Sequence, residues 1–163
     1  MNEKEWLGEH NQLGTDIWKK KYCFENESFE EWITRISGGN PEIARLIKEK
    51  KFLFGGRILS NRGLQNHGRK ISLSNCYVIT PPDDNIESIF DCATKLARTY
   101  SYGGGCGIDI SGLSPRGATI NNAAKETSGA VSFMELYSLV TSLIGQNGRR
   151  GALMISIDCS HPD

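Results

Sequence analysis

No apolar run in this 163-residue chain approaches the ~18 residues that a helical membrane span needs. Neither sign of charge is in excess, 19 Lys and Arg standing against 19 Asp and Glu. The first absence excludes a helical membrane protein. The second excludes the basic face with which a general nucleic-acid binder neutralises phosphates. Residues 1–70 carry 13 basic and 10 acidic side chains and residues 71–163 carry 6 and 9, an imbalance too small to change that conclusion. The start, Met1 to Trp6, lacks the basic segment and apolar core of a secretory signal, so the expected location is the cytoplasm. Cysteine is sparse and odd in number: Cys23, Cys76, Cys92, Cys106 and Cys159 show neither C-x-x-C spacing nor an even framework, and His10, His67 and His161 are scattered. A disulfide scaffold and a zinc site are both unexpected, and one reactive thiol is the chemistry that remains. Disorder is excluded in turn, because 38% of the residues are hydrophobic and only 23% charged.

Residues 1 to 55 read as helical. Ser28-Phe29-Glu30-Glu31 forms a capping box, Phe29, Trp32, Ile33 and Ile36 share a helical face, and Gly38-Gly39 stands where a left-handed C-terminal cap belongs. Asn40-Pro41 opens a further helix with Ile43, Leu46, Ile47 and Lys50 on one stripe. From Gly55 onward glycine, serine and asparagine become frequent, which places a domain boundary near residue 66 and gives domains 1–66 and 67–163. Cys76 to Thr80 is a short β-rich run stopped by Pro81-Pro82. The Asp84-Asn85-Ile86-Glu87 stretch then caps a helix whose apolar face is expected to be Ile86, Ile89, Phe90, Ala93, Leu96 and Ala97. Cys106 to Ile110 is a second strand, residues 112–128 a polar loop, Phe133 to Ile144 a second helix, and Ala152 to Ile157 a third strand. Strands alternating with helices specify an α/β region with parallel pairing, where sites gather at the carboxyl ends of strands.

The nucleotide fingerprints fail. Gly103-Gly104-Gly105-Cys106-Gly107 does not satisfy G-x-G-x-x-G, and no G-K-[ST] closes a Walker loop. A glycine run leading into a strand still means close backbone approach, by a packed neighbour or by a ligand. Gln146-Asn147-Gly148-Arg149-Arg150-Gly151 could clasp a phosphate or stack on a base, or be a helix cap with solvated arginines. Asp84 reads as an N-cap or as a ligand contact. Cys76 opens a strand directly after Ser72-Leu73-Ser74-Asn75, where polar groups can surround a thiol, whereas Cys92 and Cys106 read as structural. No Ser/His/Asp triad or catalytic carboxylate pair is legible.

Seven segments taken in order resemble the large catalytic subunit of ribonucleotide reductase. They are Gly56 to Asn61, Ser74 to Val78, Asp84 to Phe90, Gly103 to Gly107, Ser128 to Met134, Gln146 to Ala152 and His161-Pro162-Asp163. The resemblance implies a helical lobe followed by the first β/α units of a ten-stranded α/β barrel, incomplete in this chain. It implies thiyl-radical chemistry that reduces ribonucleotides to deoxyribonucleotides. Cys76 matches one member of the redox cysteine pair, Ser60, Asn75, Gly104 and Gly105 line the substrate pocket, and Gln146 and Arg150 lie in the loop between effector and substrate. Asp84 matches the carboxylate that holds the ribose of a dNTP or ATP effector, and Arg116 its phosphate partner. The family's finger-loop cysteine, second redox cysteine and carboxy-terminal cysteine pair have no counterpart here, nor does its amino-terminal regulatory cone. The expectation is therefore an amino-terminal portion, inactive alone and poorly soluble unless completed by the carboxy-terminal remainder. Expected partners are the ribonucleotide, the effector, a thioredoxin-type reductant and a second copy or a radical-generating subunit, with no nucleic acid and no membrane. Adenosylcobalamin is the expected radical source, with a metal-containing small subunit as the alternative. A binding or assembly module without chemistry of its own is the competing function.

Overall fold

Local capping signals shape the first of two units, Met1–Ser74. The computed structural model describes residues 1–68, 71–120, 123–146 and 149–163. Five α-helices are described in this unit, α1 (Glu3–Leu7), α2 (Gln12–Ile17), α3 (Phe29–Ser37), α4 (Pro41–Lys48) and α5 (Gly56–Asn61), with a π-helical turn at Trp18–Tyr22 after α2 and a 3-10 turn at Gln65–His67. The Ser28 capping box forms as expected, the Ser28 side chain accepting from Glu31 N while Glu31 accepts from Ser28 N. Gly38 adopts φ 65° and closes α3 in a Schellman turn, Gly38 N–H donating to Arg35 O and Gly39 N–H to Thr34 O. Helix α4 ends the same way without glycine. Lys50 takes the left-handed conformation at φ 59°, Lys51 N–H returns to Leu46 O at 2.9 Å, and Lys50 therefore leaves the expected stripe to lie over the Trp6 ring.

The aromatic stripe fills the core of this unit. Trp32 and Phe29 from α3 meet Trp6 and Trp18 at ring-centroid distances of 5.5 to 6.3 Å, mostly tilted or edge-on. Two indoles donate across the unit, Trp6 to Ile47 O and Trp32 to Leu59 O. Arg35 lies only 11% exposed and forms a fork with Glu27 at 2.6 and 2.9 Å. It also donates to the carbonyls of Tyr22 (3.0 Å) and Arg62 (2.7 Å). One guanidinium thus ties the ends of three elements together.

The second unit, Asn75–Asp163, is built on a parallel three-stranded sheet in the order β1 (Cys76–Val78), β2 (Gly105–Asp109), β5 (Leu153–Ser156). Helices α6 (Ile86–Ser101) and α7 (Ala130–Leu143) connect the strands, and Gly145–Gln146 (β3) pairs antiparallel with Arg149–Arg150 (β4). The architecture is α/β and the sheet is open, the outer edges of β1 and β5 having no strand partner among the described residues. Its helix-covered face buries Cys106 and Ile108 against Ile89, Cys92, Ala93, Leu96, Tyr100 and Tyr137. Two buried phenols are tied down, Tyr137 OH donating to Ile89 O and Tyr100 OH accepting from Thr141 Oγ1.

The buried face of α6 differs from the expected one. Ile86 and Phe90 are each 52% exposed, while Cys92 and Tyr100 are buried beside Ile89, Ala93 and Leu96. The apolar residues of α6 cover more than one face, and the sheet selects the side that carries Cys92 and Tyr100. The cap differs too. Asn85, not Asp84, accepts from Ser88 N, which leaves the Asp84 carboxylate for another partner.

Candidate active site

Strand pleating sorts the residues of the second unit by face. Cys76 pairs with Gly105, Val78 with Gly107, Gly107 with Met154 and Asp109 with Ser156. These residues share the side of the sheet opposite the helices. Its flanking strands are open, Val78 being 91% and Met154 74% exposed, while Gly105 of the middle strand is buried. Cys76 is itself exposed, and it is the strand thiol on this side. Cys106 faces the helices, where burial pushes its thiol pKa up against hydrogen bonds to Thr99 and Tyr100 that lower it. Cys92 is likewise pushed up, mainly by burial, and Tyr100 is pushed up to about 12 for the same reason. The inert reading of both cysteines follows from this burial.

Each glycine of the run has its own cause. Gly103, at φ 87°, is the left-handed terminator of α6, with Gly103 N–H donating to Tyr100 O and Gly104 N–H to Thr99 O. A Cβ at Gly104 would meet the Tyr77 ring at 2.6 Å and Thr99 Cγ2 at 2.9 Å, so packing demands that glycine. At Gly105 a Cβ would make ordinary contacts of 3.4 Å or longer, and at Gly107 it would meet nothing within 4 Å. The two glycines beside Cys76 and Val78 therefore have no steric requirement inside the fold. Neither adds a side chain to the middle strand beside Cys76 and Val78.

Among the expected substrate contacts, Asn75, Cys76, Gly104 and Gly105 are brought together by the β1–β2 pairing, Asn75 O accepting from Gly105 N at 2.7 Å. Ser60 lies in the first unit on α5, its hydroxyl donating to Gly56 O at 3.0 Å. Gln146 and Arg150 enter the β3–β4 pair through their backbones. Their side chains, and all of Asn147 and Gly148, lie outside the described residues.

The expected effector residues occupy the carboxyl-end loops. Asp84, between β1 and α6, accepts from Ser114 N at 3.0 Å and from the Ser114 hydroxyl. Arg116 donates through its backbone to Asp163 Oδ1 at 2.8 Å and through Nε to Ser128 O at 3.3 Å. Asp163 also accepts from Ala130 N at 2.8 Å and so caps α7, whose own N-cap is the side-chain-free Gly129. Those backbone donors hold the Asp163 carboxyl below the usual range. His161 Nε2 bonds Leu113 O at 2.8 Å while its Nδ1 accepts from Asp163 N, which selects the Nε2–H tautomer. Asp109 accepts from the hydroxyl of Ser156 and from Ser111 N, and these bonds lower its carboxyl pKa. Sequence reading missed Ser114 and Asp163 as organisers of this loop. Their partners lie 30 and 47 residues away, beyond any local pattern.

No group of three or more His, Cys, Asp or Glu among the described residues could hold a metal ion. No helix among them is long and apolar enough to cross a membrane.

Comparison with known proteins bears on the fold and the family. The chain is 39% identical over 102 residues to a vitamin B12-dependent ribonucleoside-diphosphate reductase of Thermoplasma acidophilum, covering 61% of this chain and 13% of that protein. It is 33% identical over 141 residues to the protein of the same description in Mycobacterium tuberculosis, covering 86% of this chain and 19% of that one. It thus spans under a fifth of the length of either relative. The fold superposes on the class Id ribonucleotide reductase alpha subunit of Actinobacillus ureae with a TM-score of 0.73 at 24% identity, covering 99% of this chain and 30% of that chain. Residues 74–163 match the family described as ribonucleotide reductase, barrel domain, and the chain belongs to that family.

Proposed function

We propose that this chain forms part of the catalytic unit of a ribonucleotide reductase, with Cys76 as one thiol of the pair that reduces the ribose. The observation that carries the reading is the position of Cys76 on the uncovered sheet face, in register with Gly105, while Cys92 and Cys106 are buried behind the sheet. A dithiol matches the electron count. The 2′ C–O bond breaks and the hydroxyl leaves as water, a C–H bond forms at that carbon, and two thiols become a disulfide that an external thioredoxin-type reductant must reopen. The second thiol, the radical-bearing cysteine and the remaining barrel strands come from chain outside this segment. Asn75, Gly104 and Gly105 border the substrate, and Gln146 and Arg150 relay effector identity to the substrate base. Asp84 and Arg116 hold the ribose and phosphates of a deoxynucleoside triphosphate or ATP. We place the domains at 1–66 and 67–163 from composition, whereas the compact units divide between Ser74 and Asn75.

The names of the Thermoplasma and Mycobacterium relatives support adenosylcobalamin as the radical generator. Its chemistry would be to create the initiating radical, held by chain beyond this segment.

The test is deoxynucleotide formation from a mixture of this chain, a polypeptide supplying the rest of the barrel, ribonucleotide, effector, dithiol and adenosylcobalamin. Product is expected with Cys76 present, and Cys76→Ser should abolish turnover. Full activity in Cys76→Ser would refute the redox role. Absence of product with any radical source, with deoxynucleoside triphosphate binding retained, would establish the binding-module alternative.

A further inference from the structure

Loop residues 113 to 116 are held from two distant segments at three successive points. His161 holds Leu113 O, Asp84 takes the N–H and O–H of Ser114, and Asp163 takes Arg116 N–H. Only Pro115, with φ fixed by its ring, separates the Asp84-bound serine from Arg116. We propose that Ser114 is a positioning residue of the effector site, setting the spacing between the Asp84 carboxylate and the Arg116 backbone. The proposal rests on the reading of Asp84 and Arg116 as effector contacts.

A nucleoside triphosphate presents a ribose hydroxyl and phosphate oxygens at a separation fixed by its own covalent frame. A site that meets both at once gains from having its two contacts preset, because the ordering cost is then met by folding rather than by binding. Ser114 supplies that presetting. Its two donors grip both carboxylate oxygens and so orient the Asp84 carboxylate plane. An ionised carboxylate has about four acceptor positions. The serine grip therefore leaves Asp84 able to accept from a ribose hydroxyl as well. The second clamp, at Arg116 N, stops the short link from swinging about the first.

The test uses the full chain and equilibrium dialysis with radiolabelled dATP and dTTP. Wild type, Ser114→Ala, Ser114→Thr and Asp84→Ala are compared, with unfolding midpoints recorded alongside. Ser114→Ala keeps the backbone N–H and loses the hydroxyl; it should bind about tenfold more weakly, the size of one charge-assisted hydrogen bond acting through its partner. Ser114→Thr restores the hydroxyl and should return affinity to within about twofold of wild type, a rescue that a loss of packing alone would not give. If Ser114→Ala binds as wild type while Asp84→Ala does not bind, the positioning role is wrong and the effector reading stands. If wild type binds neither nucleotide, the effector reading falls and the inference falls with it.

Discussion

The two units use their polar groups in opposite ways. In Met1–Ser74 the most enclosed ion pair among the described residues, Arg35–Glu27, also faces the backbone, so it is consumed by architecture. In Asn75–Asp163 helices cover one face of the sheet, and the other face carries an exposed thiol, two glycines without steric need and polar loops at the strand ends. A unit whose enclosed ion pair is spent on its own backbone acts as support. In the second unit the sheet side opposite the helices keeps Cys76, Val78 and Met154 exposed, outside the core.

The largest blow to this contrast should come from Arg35→Ala. It strands the Glu27 carboxylate in a poorly hydrated site and frees two carbonyl acceptors, so urea unfolding should show a loss of about 3–5 kcal/mol. A loss under about 1 kcal/mol would show that the pair is solvated like a surface bridge and erase the distinction. Within the second unit, Gly104→Ala drives a methyl into the Tyr77 ring and should cost about 1–3 kcal/mol. Gly107→Ala, on the bare face, should be neutral or stabilising by about 0.5 kcal/mol. Equal costs at the two sites would mean that both faces are packed.

The smallest effect is read from pH. The folded pKa of Asp163 is depressed below 3.8, so its contribution to stability is present above that value and fades as pH falls through the lower folded value. Thermal unfolding of Asp163→Asn should therefore lose less stability than wild type on acidification from neutral pH to below 3.8. An identical slope would remove Asp163 from the loop's support.

What the sequence made legible was local. The Ser28 capping box, the Gly38 terminator and the Asn40-Pro41 start all sit where expected, because each is decided within one turn of helix. The β/α order was equally open to reading, since strand and helix periods differ. The buried side of α6 was not, because Ile86, Phe90, Ile89, Cys92 and Tyr100 supply apolar surface over more than one face and only the sheet chooses between them. At the candidate site Cys76 could be singled out from its polar approach. Its pairing with Gly105, and the Asp84–Ser114 and Arg116–Asp163 bonds, join residues 29 to 47 positions apart and leave no trace in local composition.

The pairing of Cys76 with Gly105 carries a further consequence, one of parity. Successive strand residues alternate between faces, so sliding β1 by one position would exchange the thiol with Tyr77, turning the ring toward the open side and the sulfur toward the helices. That pairing, not the length of the loops around β1, decides which face the thiol takes. A single residue inserted or deleted within the three-residue strand would reverse that parity for the residues beyond it.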